Sequence, residues 1–258
     1  MPFETIRIED EGPIRVIAVD RPKVLNALST QVLREIDAAV AAVPGDARVV
    51  ILTGAGEKAF VAGADIAEMQ GKSADEARGF SALGHAVGKR LERLDQVTIA
   101  AVNGFALGGG LELAMSCDLI YAAEHARLGQ PEVNLGIIPG FGGTQRLARL
   151  VGPQLAREMI FTARMIDAPT AKARGLVCDV FPKAELLSAV KKIALEIAAK
   201  GPLAIAAAKM LVRKGAALDL DDANRLETET FGELFRSRDA LEGITAYLEK
   251  RKADFTAS

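Results

Sequence analysis

The sequence predicts an α/β protein with largely parallel strand pairing, followed by an all-helical C-terminal part. Three observations carry that expectation. Short apolar runs, such as residues 49–52 and 98–102, are closed off by glycines. Amphipathic stretches with apolar residues at helical spacing separate those runs. After about residue 182 the strand signal disappears and only helical periodicity is left. Strands alternating with helices favour a parallel sheet, because parallel neighbours need a crossover between them.

The elements follow in order. Residues 5–8 and 14–19 alternate apolar and polar around a Glu-Asp-Glu-Gly segment, which predicts a hairpin or meander. Ser29 reads as the N-cap of a helix carrying Val32, Leu33, Ile36, Val40 and Val43 on one face, and Pro44-Gly45 ends it. Residues 49–52 form a buried strand stopped by Gly54 and Gly56. A helix over residues 74–94 leads to a second buried strand at 98–102. The glycine-rich segment 104–110 reads as a turn into a short apolar helix at 111–116, and residues 119–122 are again a strand. Four amphipathic helices follow, at residues 183–200, 202–214, 219–235 and 237–250. The chain therefore divides into a core, residues 1–200, and a helical region, residues 201–258. No repeat of fixed period and no low-complexity segment is present.

Composition excludes several classes of function. A chain of 258 residues with 50% hydrophobic content can bury a large core. Its formal net charge of -2 leaves no field to gather nucleic acid. Cys117 and Cys178 form no CxxC, and with only His85 and His125 no histidine-rich metal site is available. His85 is expected on a helix surface, His125 in a turn, and both cysteines in packing roles. The first ten residues carry acids and no basic leader region, and the longest uncharged run, 96–111, is broken by Asn103 and glycines. A cytoplasmic protein with no membrane span is the expectation.

No GxSxG, GxxxxGK[ST], HExxH or strand-linked GxGxxG motif occurs. What remains is three glycine-rich turns and two glutamates in apolar settings. The turns Phe60-Val61-Ala62-Gly63-Ala64-Asp65-Ile66 and Gly104-Phe105-Ala106-Leu107-Gly108-Gly109-Gly110 could each aim one backbone N–H at a single oxygen, making an oxyanion hole. The alternative is that both are tight strand-to-helix turns needing glycine for positive φ. Glu112, in Gly-Leu-Glu-Leu-Ala-Met-Ser, is either a helix N-terminal acid favoured by the dipole or a working group. Glu132, after Gln130-Pro131, is either a loop carboxylate paired with a cation such as Arg146 or a second working group. Two carboxylates in one desolvated pocket cannot both ionise easily, so one stays protonated; an acid beside a base is what addition of water to a polarised double bond needs. The third turn, Pro139-Gly140-Phe141-Gly142-Gly143-Thr144, opens the next helix and could brace Glu132 or the water.

These segments resemble the crotonase superfamily, and within it the enoyl-CoA hydratases. The likeness runs from Arg21-Pro22-Lys23-Val24-Leu25-Asn26-Ala27-Leu28 to Tyr247-Leu248-Glu249-Lys250-Arg251-Lys252. It is most specific in Ala59-Phe60-Val61-Ala62-Gly63-Ala64-Asp65-Ile66, from Asn103 to Cys117-Asp118, and from Gly129-Gln130-Pro131-Glu132 to Gln145-Arg146-Leu147. The resemblance implies a spiral of ββα units with a helical C-terminal trimerisation region, and a hexamer built as a dimer of trimers. It implies acyl-CoA thioester substrates, with CoA as part of the substrate and no separate cofactor or metal. It puts the oxyanion hole at the N–H groups of Ala64 and Gly109. Glu112 and Glu132 become the catalytic pair, Glu132 protonating the α-carbon and Glu112 activating water, with Gly140 in support. CoA contacts are implied for Lys23, Val24, Leu25, Ala62, Ala64, Asp65 and Ile66, and for Lys250 and Tyr247, which could serve a neighbouring subunit. Ala67 stands where some hydratases carry a lysine, removing one adenine-side contact.

Within the superfamily, isomerases need a single carboxylate at the second position, so glutamate at both 112 and 132 favours hydration, with 3-enoyl-CoA to 2-enoyl-CoA isomerisation as the alternative. Dehalogenase-like members need a nucleophilic aspartate, and 3-hydroxyacyl-CoA hydrolases a different acidic set. An RNA-binding relative needs a basic helix, but residues 31–43 hold one arginine against Glu35 and Asp37. An inactive assembly subunit has no use for an intact glutamate pair.

Overall fold

Parallel strands covered on both faces read as near-continuous apolar runs. The computed structural model describes residues 3–258. Strands β1 (Ile6–Glu11) and β2 (Ile14–Val19) form an antiparallel hairpin. Strand β1 runs on through the acidic segment expected to turn, and the reversal falls at Gly12 (φ +55°) and Pro13. Helix α1 (Thr30–Ala41) begins at Ser29, whose side chain accepts a hydrogen bond from Val32 N. It leads into β3 (Val49–Gly54), buried along its whole length.

From there the chain repeats a pattern. β3 is followed by the short β4 (Ala59–Val61), then α2 (Ile66–Met69) and α3 (Ala74–Arg93). β5 (Val97–Val102) is followed by the short β6 (Phe105–Leu107) and α4 (Gly109–Ala114). β7 (Leu119–Ala123) is followed by the short β8 (Arg127–Gly129), a 3-10 turn (Glu132–Leu135), α5 (Gly143–Val151) and α6 (Pro153–Thr162). Then come β9 (Met165–Asp167), α7 (Ala168–Ala173), β10 (Asp179–Phe181) and α8 (Leu186–Ala198).

The long strands collect into a six-stranded sheet, β1-β2-β3-β5-β7-β10, parallel from β2 onward; the short ones form a second sheet, β4-β6-β8-β9, parallel except at β9. This is a spiral of ββα turns, the three from β3 to β8 each contributing one strand to each sheet. The period-2 alternation sends Val50 and Leu52 into the main core between the sheets and α1, α3 and α4, and Val49 and Ile51 toward Leu186, Val190 and Ala194 of α8. The segment read as a glycine turn at 104–110 holds β6, so that expectation is corrected: three residues are too few for periodicity to register.

After α8 come α9 (Pro202–Gly215), α10 (Leu220–Leu234) and α11 (Arg238–Leu248). Helix α9 is fastened to the core by Lys209, whose ammonium sits 2.8 Å from Asp118 and donates to the carbonyls of Gln96 and Leu91. Neither α9 nor α10 contains a fully buried residue.

Candidate active site

Three adjacent parallel strands of the small sheet end at one place. Past β4 lie Ala62-Gly63-Ala64, past β6 lie Gly108 and Gly109, and past β8 lie Gln130, Pro131 and Glu132. The carboxyl ends of parallel strands are where an α/β sheet exposes chain turns and helix starts to a ligand. A cavity of about 320 Å³ opens there, lined by Ala64, Glu112, Glu132, Gly140 and Phe141, with Met69, Phe80 and Ile137 among its apolar walls.

Close backbone approach builds this corner. A Cβ on Gly110 would collide with the Val61 carbonyl, and one on Gly108 (φ +51°) would lie 2.8 Å from Glu132 Oε1. Asn26, itself in the left-handed region, accepts from Arg21 N and donates to Ala59 O at 2.8 Å, pinning the 21–28 segment against β4. Leu28 N then donates to Gly63 O (2.9 Å) and Asp65 N to Leu28 O (2.8 Å). This parallel bridge uses the peptides on either side of Ala64 and leaves the Ala64 N–H pointing away from it. Gly109 opens α4, where an N–H has no intrahelical acceptor. Among the described residues, neither the Ala64 nor the Gly109 N–H has an acceptor.

Glu112 is in the first turn of α4 and is 1% exposed. Its Oε1 accepts from Phe141 N (2.8 Å) and Gly143 N (2.5 Å). Burial raises its pKa, and those N–H groups with the nearby Arg146 charge oppose the rise. The third glycine-rich turn therefore braces Glu112, which corrects the expectation that it serves Glu132. Glu132 is half-buried at the start of the 3-10 turn. Burial lifts its pKa to about 7, with the Glu112 charge adding to the lift. Its neighbour is the fully buried Gln130, whose amide nitrogen, assigned from the hydrogen-bond network, lies 3.0 Å from Oε1 and 3.1 Å from Oε2. Arg146 does not pair with Glu132; it pairs with Glu92.

Of the other residues expected at the site, Ala62, Ile66 and Gly140 line the cavity, while Gly109 borders a small adjoining void together with Glu112 and Phe141. Lys23 and Val24 lie on an exposed 3-10 turn, Pro22–Val24, joined to the site through Leu25 O, which accepts from Ala62 N at 3.0 Å. Asp65 faces another cleft and holds Arg21 at 2.9 Å. Tyr247 (84% exposed) and Lys250 are at the far end of α11 and do not line the cavity within this chain. His85 and His125 are exposed as expected; Cys117 packs on the core, whereas Cys178 is exposed, contrary to its expected packing role. Sequence reading missed Gln130, Phe141 and the Arg146–Glu92 pair. The only advance signal was a polar glutamine and an aromatic residue set between glycines.

Among the described residues, no group of three His, Cys, Asp or Glu side chains could hold a metal, and no helix is long and apolar enough to cross a membrane.

A free N–H at Ala64 on the cavity, another at Gly109 on the adjoining void, a buried, braced carboxylate and a second carboxyl near neutrality make an arrangement suited to acid–base chemistry in an enzyme. The profile of the family described as Enoyl-CoA hydratase/isomerase matches residues 9–258, and the chain belongs to that family. It is 52% identical over 257 residues to the crotonyl-CoA hydratase of Syntrophomonas wolfei, covering 99% of both chains. It is 49% identical over 256 residues to the short-chain-enoyl-CoA hydratase of Clostridium acetobutylicum, covering 98% of each. The crystal structure of an enoyl-CoA hydratase from Bacillus anthracis superposes with a TM-score of 0.96 at 40% identity, covering 99% of this chain and 100% of that one.

Proposed function

We propose that this protein is an enoyl-CoA hydratase acting on short 2-enoyl-CoA thioesters, with Glu112 and Glu132 as its catalytic pair. The observation that carries the reading is the unequal setting of the two carboxyls. Glu112 accepts two fixed backbone N–H groups, which favours its charged form, whereas Glu132 holds its proton to about pH 7. The thioester oxygen takes the free N–H groups of Ala64 and Gly109, so negative charge arriving there during addition is met by dipoles already in position. Water gives a proton to Glu112 as its oxygen bonds to the β-carbon, and Glu132 gives its proton to the α-carbon. A proton returned from Glu112 to Glu132 restores the pair. No cofactor takes part, since the thioester itself acidifies the α-carbon, and CoA belongs to the substrate.

The CoA portion runs past Ala62, Ile66 and the 23–25 segment. Residues 1–200 form the catalytic core and residues 201–258 the assembly region. Apolar side chains stand in water along that region of the single chain, with Val212 77%, Leu220 74% and Phe231 63% exposed, which supports burial against other subunits. The resemblance to the crotonase superfamily supports a hexamer, a dimer of trimers. It also leaves room for Tyr247 and Lys250 to serve a neighbouring subunit's CoA. Two free thiols fit a reducing, cytoplasmic setting.

The test is loss of the conjugated-thioester absorbance on mixing with crotonyl-CoA, with Glu112→Gln and Glu132→Gln alongside. Turnover in the wild type that both variants lose supports the reading. No turnover with crotonyl-CoA or longer enoyl-CoAs overturns it and turns attention to 3-enoyl-CoA isomerisation.

A further inference from the structure

Glu112 is held by a turn, and the turn is itself held. Its carboxylate depends on the N–H groups of Phe141 and Gly143, so whatever fixes residues 139–143 fixes the carboxylate. One face of α3 lies against that turn. Ser81 Oγ donates to Gly140 O at 2.5 Å. Gly84, one turn on, has no side chain because the Phe141 ring occupies the space a Cβ would need. Phe80 meets that ring edge-on with centroids 5.2 Å apart. A turn further, Gly88 leaves room for the Arg146 guanidinium, whose Nη2 would be 3.1 Å from a Cβ there, and Glu92 takes that guanidinium at 2.6 Å. Positions 81, 84, 88 and 92 recur at three- and four-residue spacing, one stripe of a helix.

Arg146 closes the circuit. Its Nη1 donates to Phe141 O at 2.7 Å, the carbonyl of the same residue whose N–H holds Glu112. Gly142, at φ +107°, leaves the passage through which the guanidinium reaches that carbonyl, since a Cβ there would collide with Nη1. The planar guanidinium gives its Nε and Nη2 to the carboxylate and its Nη1 to the carbonyl, so the two partners are held in one fixed geometry.

We propose that Arg146, clamped by Glu92 on α3, is a positioning residue for the catalytic Glu112: it fixes Phe141 and the turn around it so that two N–H groups stay aimed at the carboxylate, and it sets a positive charge nearby. The proposal rests on the acid–base reading above for what Glu112 does, but not for how it is held. The charged and titratable groups around Glu112 are Glu132 from the 3-10 turn after β8, Arg146 from α5, and Glu92 on α3, with His85, also on α3, behind Gly142.

The experiment compares Arg146→Gln, Arg146→Lys and Glu92→Gln in the full chain. Steady-state kinetics with crotonyl-CoA across pH is paired with a difference-infrared titration of the Glu112 carboxyl without substrate. Arg146→Gln is expected to lower kcat at least about tenfold with KM within about threefold, and to move both the acid limb of kcat/KM and the Glu112 midpoint to higher pH. Arg146→Lys keeps the charge but loses the rigid planar fork that fixes the two partners relative to each other, so it should restore the midpoint and only part of kcat. Glu92→Gln keeps the guanidinium in place and should leave the midpoint unraised. If Arg146→Gln folds with wild-type kcat and an unmoved midpoint, the proposal is overturned; should that variant fail to fold, Arg146→Lys with wild-type kcat overturns it equally. A wild-type protein that does not hydrate crotonyl-CoA removes the hydratase reading alone, because the infrared midpoint still decides whether Arg146 controls Glu112.

Discussion

Replacing Glu132 by glutamine should abolish turnover and stabilise the protein, but only at neutral to alkaline pH. The folded protein holds the Glu132 proton to about pH 7, where an ordinary glutamate titrates near 4.5. A carboxyl whose pKa is raised on folding favours the folded state below its unfolded pKa. That advantage is lost as pH rises from about 4.5 through about 7, because the buried site must then carry a charge. The full shift corresponds to about 3 kcal/mol at roughly 1.4 kcal/mol per tenfold change in the proton equilibrium. Solvent reaches part of this half-buried side chain and screens it, so about 1–2 kcal/mol is the working expectation. Glutamine keeps the shape, relieves the charge and can still bond the Gln130 amide. At about 2–4 °C per kcal/mol for a chain of this size, Tm should rise by about 2–8 °C at pH 8 and hardly change at pH 5. Calorimetric melts of both proteins at the two pH values read this directly. An equal change at pH 5 and pH 8, or a loss at pH 8, would refute the argument that a desolvated carboxylate is being relieved.

Glu112→Gln should lower kcat by about 10²–10⁴-fold, the usual worth of a positioned general base, with smaller change in KM in steady-state assays. Gln130→Leu removes the amide donor from Glu132, which raises that carboxyl's pKa further; the falling alkaline limb of kcat/KM should move to higher pH, and a limb that stays or moves down would mean the amide faces elsewhere. Gly110→Ala drives a methyl group into the Val61 carbonyl at the head of the Ala62-Gly63-Ala64 turn, and should cost about 1–3 kcal/mol in denaturant melts while lowering activity per folded molecule.

The long strands were legible from the apolar runs at 49–52 and 99–102 in β3 and β5, and the long helices from apolar residues at helical spacing, with Ser29 marking the start of α1. The second sheet was not. β4, β6 and β8 are three residues each, below the length at which alternation means anything, and β4 and β6 overlap glycine-rich segments that read as turns. Nor did the ββα repeat register, since the helix closing each turn ranges from the 20 residues of α3 to the 6 of α4. The two glutamates stood out as charges in apolar runs. What holds them did not: a backbone N–H donor leaves no mark on its own residue's identity, so Phe141 and Gly143 looked like ordinary turn positions. Gly84 and Gly88 gave no clue either, because a glycine inside a helix says only that something comes close.

The spiral explains why one short motif serves different purposes at successive turns. Strands β4, β6 and β8 are neighbours in parallel, so the residues just beyond each arrive side by side within a few ångströms of sheet spacing. The first exit presents the Ala64 N–H, the second presents the Gly109 N–H and, one helical turn later, Glu112. The third presents Gln130 and Glu132. An oxyanion site needs two donors converging on one atom, and acid–base chemistry needs two carboxyls near each other but in unlike surroundings. In the proposed mechanism adjacent parallel strand ends bring the two donors together, and the helix that follows supplies the difference. Glu112, set back on α4, reaches the N–H groups of the 139–143 turn, whereas Glu132, still near its strand, has only an amide beside it and a carboxylate across from it. The unlike surroundings of the two carboxyls are thus a consequence of how far beyond its strand each glutamate lies.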